Sequence, residues 1–313
     1  MDIYGGLLLE SLLKKDRYFA LQAELFDKDV ISGVQLRVAH PFFTPGLGSA
    51  ALPYIPKLLP SGMKLFIHVG AENVGVDFGQ NLDECGVFGR SNMATGVSWS
   101  VWNRRTLDWA QGVALAAGLT APWGVAHPGY GVSSVDWPTR ESVIKILKRL
   151  PAGSVALENV PPVADRDLYN LLTNTKADWP RKQYWGFGGT PEDMDKLLLE
   201  AGDGNLCLID FTHLQVMVNQ ANARFWPELD AWQDLEYVVE QYLDLQHCKI
   251  CHFSSVPPAE VLMDSHDHFS APLPAPIRDG LNQMDTICLE IRFGSFEETK
   301  RQVKSFREQL ERR

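Results

Sequence analysis

The chain has 313 residues, 45% of them hydrophobic, enough for one large core and for a single α/β barrel. A formal net charge of −10 argues against a broad electrostatic grip on nucleic acid; a local basic groove stays compatible with it, because bound divalent cations offset charge near a site. No long uncharged apolar span is present, so no transmembrane helix is expected.

The opening segment IYGGLLL, from Ile3, reads as a first strand; with no basic leader and an early Glu10, this start does not have the form of a signal peptide. Two strands follow, VQLRVAH from Val34 and KLFIHVG from Lys64. A long loop is expected from about 70 to 105, carrying Glu72, Asp77, Asp83, Glu84, Trp99 and Trp102. Thr106 is placed to cap the helical segment LDWAQGVALAAG, and Thr139 to cap ESVIKILKRL; the strand WGVAHP lies between them. SVALENV is the next strand. Thr190-Pro191-Glu192-Asp193 then supplies a cap, a first-turn proline and acids for a helix that Gly202 ends. LCLIDF from Leu206 is a strand, Leu229 to Leu245 has helical spacing, and KICHFS and TICLEI are the last two strands. Ser295 to Glu298 forms a capping box for a helix running to about Leu310.

That makes eight strands in alternation with helices, with no linker or low-complexity stretch dividing them. The pattern implies parallel pairing and a (β/α)8 TIM barrel in a single domain over residues 1–313, with a doubly wound open sheet as the competing architecture. Cys85, Cys207, Cys248, Cys251 and Cys288 form an odd set. Three lie inside expected buried strands, which suits reduced thiols and a cytoplasmic protein. Cys248 and Cys251 have the spacing of a zinc or redox pair, but within a strand their sulfurs face opposite sides.

Six of these strands end in a residue type that ligates metals. The series is His68, His127, Glu158, Asp210 with His213, His252, and Glu290; Asp264 and His266 follow His252 in a loop. Buried charges cost several kcal/mol unless paired, hydrogen-bonded or metal-bound, so endings of this kind, strand after strand, point to a metal centre. In a barrel they fall at the catalytic end. Five imidazoles and four carboxylates exceed the needs of one ion and suit two or three. Mixed N/O ligation suits zinc first, with manganese or iron as alternatives. Asp210 and His213 both reach the site if the chain starts to turn at Phe211-Thr212. His268 rivals His266 as a ligand, His40 is expected in a supporting role, and His247 is expected at the opposite end of the barrel.

The order His, His, Glu, Asp-x-x-His, His, Asp-x-His, Glu resembles the endonuclease IV branch of the xylose-isomerase-like TIM barrels over residues 64–292. The resemblance is carried by His127-Pro128-Gly129, Glu158-Asn159, Asp210-Phe211-Thr212-His213, the His252 to Asp264-Ser265-His266 segment and Leu289-Glu290. It implies one ion on His68, His127 and Glu158, a second on Glu158, Asp210, His252 and Glu290, and a third on His213, Asp264 and His266. The chain departs from that pattern at Val69-Gly70-Ala71, which follows His68, and at Phe253-Ser254-Ser255, which follows His252. It also has no counterpart of that branch's DNA-gripping loops.

Two enzyme classes follow. The first is a metal-dependent hydrolase that cleaves a phosphoester of a sugar- or nucleotide-like substrate. Glu158 bridges ions in that reading, Glu290 holds one, and Arg292, two residues further along the inward face, meets a phosphate oxygen. The alternative is a mononuclear sugar isomerase or epimerase with Glu158 and Glu290 as the acid–base pair. Tyr130, Trp137, Phe225 and Trp226 add to an acidic, aromatic rim. Such a rim suits a small polar or sugar-like substrate better than a long polyanion. The charged last helix, with Lys300, Arg301 and Arg307, reads as a solvated face.

Overall fold

The computed structural model describes residues 1–38, 52–69, 99–128, 130–131, 137–164, 183–186, 188–224, 229–245, 249–259, 261, 269, 272–291 and 294–311. All eight expected strands are present: β1 (Asp2–Leu8), β2 (Gly33–Val38), β3 (Lys64–Val69), β4 (Gly124–Ala126), β6 (Val155–Glu158), β9 (Leu206–Leu208), β10 (Ile250–Phe253) and β11 (Thr286–Leu289). Three short strands, β5 (Tyr130–Gly131), β7 (Val163–Ala164) and β8 (Gln183–Gly186), form a separate antiparallel sheet. The helices are α1 (Leu9–Lys14), α2 (Arg17–Asp27), α3 (Ile55–Leu58), α4 (Trp99–Ala116), α5 (Trp137–Leu147), α6 (Pro191–Ala201), α7 (Phe211–Asn222), α8 (Leu235–Leu245), α9 (Ala275–Leu281) and α10 (Phe296–Glu311).

The main sheet runs in the order β10-β11-β1-β2-β3-β4-β6-β9. Asp210, just past β9, bridges in parallel to His252 on β10, so the strand series returns on itself. With helices between parallel strands, this is the (β/α)8 barrel class. Parallel sheets are buried on both faces, which explains why most of these strands read as continuous apolar runs; β2, with Gln35 and Arg37, is an exception. Glycine permits the tightest abutments. A Cβ at Gly33 would come within 2.4 Å of the Lys64 carbonyl oxygen, and one at Gly124 within 2.6 Å of that of Ile67.

The chain divides into two compact units. One comprises Met1–Leu36, Leu58–Phe66 and Cys207–Arg313. Its core includes Ile3, Leu25, Leu36, Met217, Tyr242 and Ile287, with Phe253 stacked on Phe306 at 5.3 Å between ring centroids. His252 is in register with Cys288, which is itself in register with Tyr4. The other unit comprises Arg37–Lys57 and Ile67–Leu206, with Val113, Val125, Leu157 and Leu197 in its core. Here buried Arg140 of α5 donates to Asp193 (2.7 Å) and Glu200 (3.0 Å) of α6, while the second oxygen of Asp193 accepts from the Gly188 amide. An arginine buried this deeply requires such partners.

Several expected boundaries shift, each for a local reason. Thr106 lies inside α4, which begins at Trp99, so the last seven positions of the expected 70–105 loop are helical. Thr139 is likewise internal to α5, where Pro138 marks the first turn. The segment from Leu229 becomes helical only at Leu235, because the Asp234 carboxylate accepts from the Glu236 and Tyr237 amides and sets the start there. The caps at Thr190 and Ser295 form as expected: the Thr190 hydroxyl accepts from Asp193 N (3.2 Å), and that of Ser295 from Glu298 N (3.3 Å). Among the described residues, no helix is long and apolar enough to cross a membrane.

Candidate metal centre

The first ligand group lies in the second unit. His68 stands near the end of β3, His127 directly after β4, and Glu158 ends β6. Both imidazoles present Nε2 to the same carboxylate oxygen, Oε2 of Glu158, at 3.6 Å from His68 and 3.3 Å from His127. The two rings meet edge to face with centroids 5.1 Å apart. Glu158 is 0% and His68 1% exposed. Two ligand atoms each bound at about 2.1 Å to one tetrahedral ion lie about 3.4 Å apart, so these separations have the dimensions of a coordination edge. Burial is the largest influence on His68, and it holds the imidazole below its ordinary pKa of 6.5 despite the opposing pull of Glu158. The charges of His127 and Arg37 act in the same direction as burial. The ring is thus kept neutral at pH 7, the form that ligates a metal.

The second ligand group lies in the first unit. Asp210, His252 and Glu290 are all buried, and each offers a ligand atom within 4.8 Å of those of the other two. Nδ1 of His252 and Oε1 of Glu290 are 3.5 Å apart, again a coordination edge. Glu290 follows β11 and is set by its backbone amide, which donates to the Phe253 carbonyl at 2.9 Å. Asp210 divides its carboxylate between two tasks. Oδ1 accepts from the amides of Thr212 (2.6 Å) and His213 (3.1 Å) as the N-cap of α7, while Oδ2 is on the side of His213 Nε2, 3.9 Å away. The chain therefore turns at Phe211, as the reading that joins Asp210 and His213 in the site requires. The 3.9 Å separation is longer than the tetrahedral edge of about 3.4 Å.

Hydrogen bonds around this group set its backbone. Ser254, just past β10, donates its amide and its hydroxyl to Thr212 Oγ1 at 2.9 and 3.0 Å. Asn219 of α7 donates to the carbonyls of Pro258 (2.8 Å) and Val261 (2.9 Å), fastening the segment that leads toward Asp264.

Arg292, Asp264, His266, His268, His40, His247, Cys85, Cys248, Phe225, Trp226 and the loop acids Glu72, Asp77, Asp83 and Glu84 lie outside the described residues. Tyr130 falls on β5, and Trp99, Trp102 and Trp137 fall on helices. Two residues escaped the sequence reading. Gln35 lies against His252, and the charge of Arg37 acts on His68. The available signal was the alternation Val34-Gln35-Leu36-Arg37, which puts both polar groups on one face of a strand.

No protein-family model matches the chain, and no curated protein is significantly similar to it. Solved structures are similar in fold. The crystal structure of AsfvAP:AG gives a TM-score of 0.51 at 11% identity, covering 99% of each chain. The probable 3-DHS dehydratase AsbF involved in petrobactin synthesis, from Bacillus anthracis, gives 0.48 at 12% identity, covering 97% of this chain and 98% of its own. Protein SMc04130 from Sinorhizobium meliloti 1021 gives 0.48 at 15% identity, covering 97% of each. At 11% identity the likeness to the first of these is one of fold alone, and it agrees with the (β/α)8 barrel that the strand order gives.

Proposed function

We propose that this protein is a metal-dependent hydrolase carrying two or three divalent ions, zinc first among them, and cleaving a phosphoester of a small sugar- or nucleotide-like substrate. The observation that carries this reading is the pair of imidazoles on Glu158: His68 and His127 Nε2 stand 3.6 and 3.3 Å from one carboxylate oxygen, the spacing of ligands around an ion. Asp210, His252 and Glu290 supply a second position. Two ligand groups favour hydrolysis over the isomerase alternative, in which His68 and His127 contact substrate and Glu158 moves a proton.

Clustered divalent ions supply Lewis acidity, an activated water and neutralisation of phosphoryl charge. The chain contributes the rest. Burial keeps His68 neutral, His127 offers a second Nε2, Glu158 and Glu290 supply carboxylate oxygens, and Asp210 keeps its ligand oxygen oriented by spending the other on the helix cap. Arg292 is the proposed phosphate contact, and Asp264 and His266 join His213 at a third position. A cytoplasmic location fits the buried thiols Cys207, Cys251 and Cys288.

The test is turnover of zinc- or manganese-reconstituted protein on bis(p-nitrophenyl) phosphate and on a panel of sugar phosphates and nucleotides. Release of nitrophenolate or phosphate that chelator treatment abolishes is the expected result. Aldose–ketose interconversion with no ester cleavage would contradict the proposal and favour the isomerase.

A further inference from the structure

We propose that Gln35 is a positioning residue that decides which ring nitrogen of His252 is presented to a metal ion; the inference rests on the metal-centre reading above. Gln35 sits on β2 between Val34 and Leu36, in a strand whose other described neighbours are apolar or glycine up to Arg37. It is 1% exposed and His252 is 0% exposed, so water is excluded from their contact. The amide nitrogen of Gln35 lies 2.5 Å from Nε2 of His252. On the other side of the ring, Nδ1 lies 3.5 Å from Oε1 of Glu290. The imidazole is thus held between a neutral amide and a carboxylate of the proposed ligand group.

A primary amide offers a donor at one end and an acceptor at the other, and half a turn about its last bond exchanges them. With nitrogen forward, Gln35 donates to Nε2. The hydrogen of the neutral ring then sits on Nδ1, and no lone pair faces Glu290. With oxygen forward, Gln35 accepts from Nε2–H, and Nδ1 turns its lone pair toward Glu290 and Asp210. Only this second arrangement lets His252 ligate beside those carboxylates. A hydrogen-bond acceptor on the far nitrogen of a ligating imidazole also fixes its orientation and raises its basicity. In the nitrogen-forward arrangement, Oε1 of Gln35 is buried with no hydrogen-bond partner among the described residues. Turning the amide gives that oxygen a donor. The orientation of Gln35 and the ligating tautomer of His252 are therefore one variable.

The tautomer is read by long-range 1H–15N correlation spectra of histidine-labelled protein, with His252→Asn to assign the signal, and affinity by competing zinc against a graded chelator. In zinc-loaded native protein, His252 is expected with its hydrogen on Nε2 and the metal on Nδ1. Gln35→Leu lowers the affinity of one ion at least about tenfold. Gln35→Glu, which only accepts, restores affinity to within a few-fold of native and keeps the Nε2–H form. His252 bound through Nε2, or an unchanged affinity in Gln35→Leu, would overturn the inference and leave the metal centre standing. If Gln35→Leu does not fold, the native spectrum decides alone. Native protein that takes up no ion after reconstitution would sink the metal centre and this inference together.

Discussion

An imidazole buried with a second imidazole beside it, and with an arginine charge acting on it, resists protonation, and that resistance makes His68 a source of pH dependence. Its folded pKa lies below the ordinary 6.5, with burial as the main cause. In the unfolded chain the ordinary value returns. Above 6.5 both states hold the ring neutral, so its contribution to stability is fully present. As pH falls below 6.5, the unfolded chain takes up a proton that the folded chain refuses, and stability is lost progressively down to the folded pKa. One such group changes stability by at most about 1.4 kcal/mol per pH unit. Urea unfolding of chelator-treated protein, between about pH 7.5 and about pH 5.5, should show this decline, with a flatter one in His68→Asn. Identical slopes in the two proteins would contradict this account of His68. Competition between protons and metal for His68 should begin only lower, as pH approaches the folded pKa.

The same carboxylate can serve an element and a site at once, and Asp210 is the example. Its cap on α7 is worth about 1 kcal/mol, and asparagine caps nearly as well as aspartate. Asp210→Asn should therefore leave the circular dichroism of the metal-free protein unchanged and move its unfolding midpoint little. The substitution removes an anionic ligand, so the affinity of the ion held with His252 and Glu290 should fall at least about tenfold, measured by chelator competition. Unchanged affinity would mean that Asp210 is a helix cap and nothing more. Much of this scale was legible beforehand. Most strands of the main sheet show as short apolar runs, and six of the eight end in a ligand type; β2 instead alternates, with Gln35 and Arg37 among apolar residues. Helix starts were less legible. Thr106 and Thr139 are good capping residues by type, but helix geometry was extended past them, in one case by a first-turn proline. The two-residue strands of the small antiparallel sheet are too short to carry any periodicity. Gln35 left only a weak signal, its alternation with Arg37, because one amide in a strand has the same pattern whether it faces a ligand or the solvent.

At the scale of the whole chain, the fold positions the chemistry through a general property of barrels: strand ends and the loops beyond them form the functional face. Each of the two units brings together buried imidazole and carboxylate groups with N–O separations of 3.3–3.6 Å, spacings that could hold a metal ion. What the sequence could not convey is distance. Residue types at strand ends suggest ligands, but only the structure shows two imidazoles converging on one oxygen of Glu158. The most direct measurement is the number of zinc ions per chain after reconstitution and removal of unbound metal, for the native protein and for Glu158→Gln. Two or three ions in the native protein, and at least one fewer in the variant, is the predicted result. One ion or none in the native protein, or the same count in both, would contradict the account.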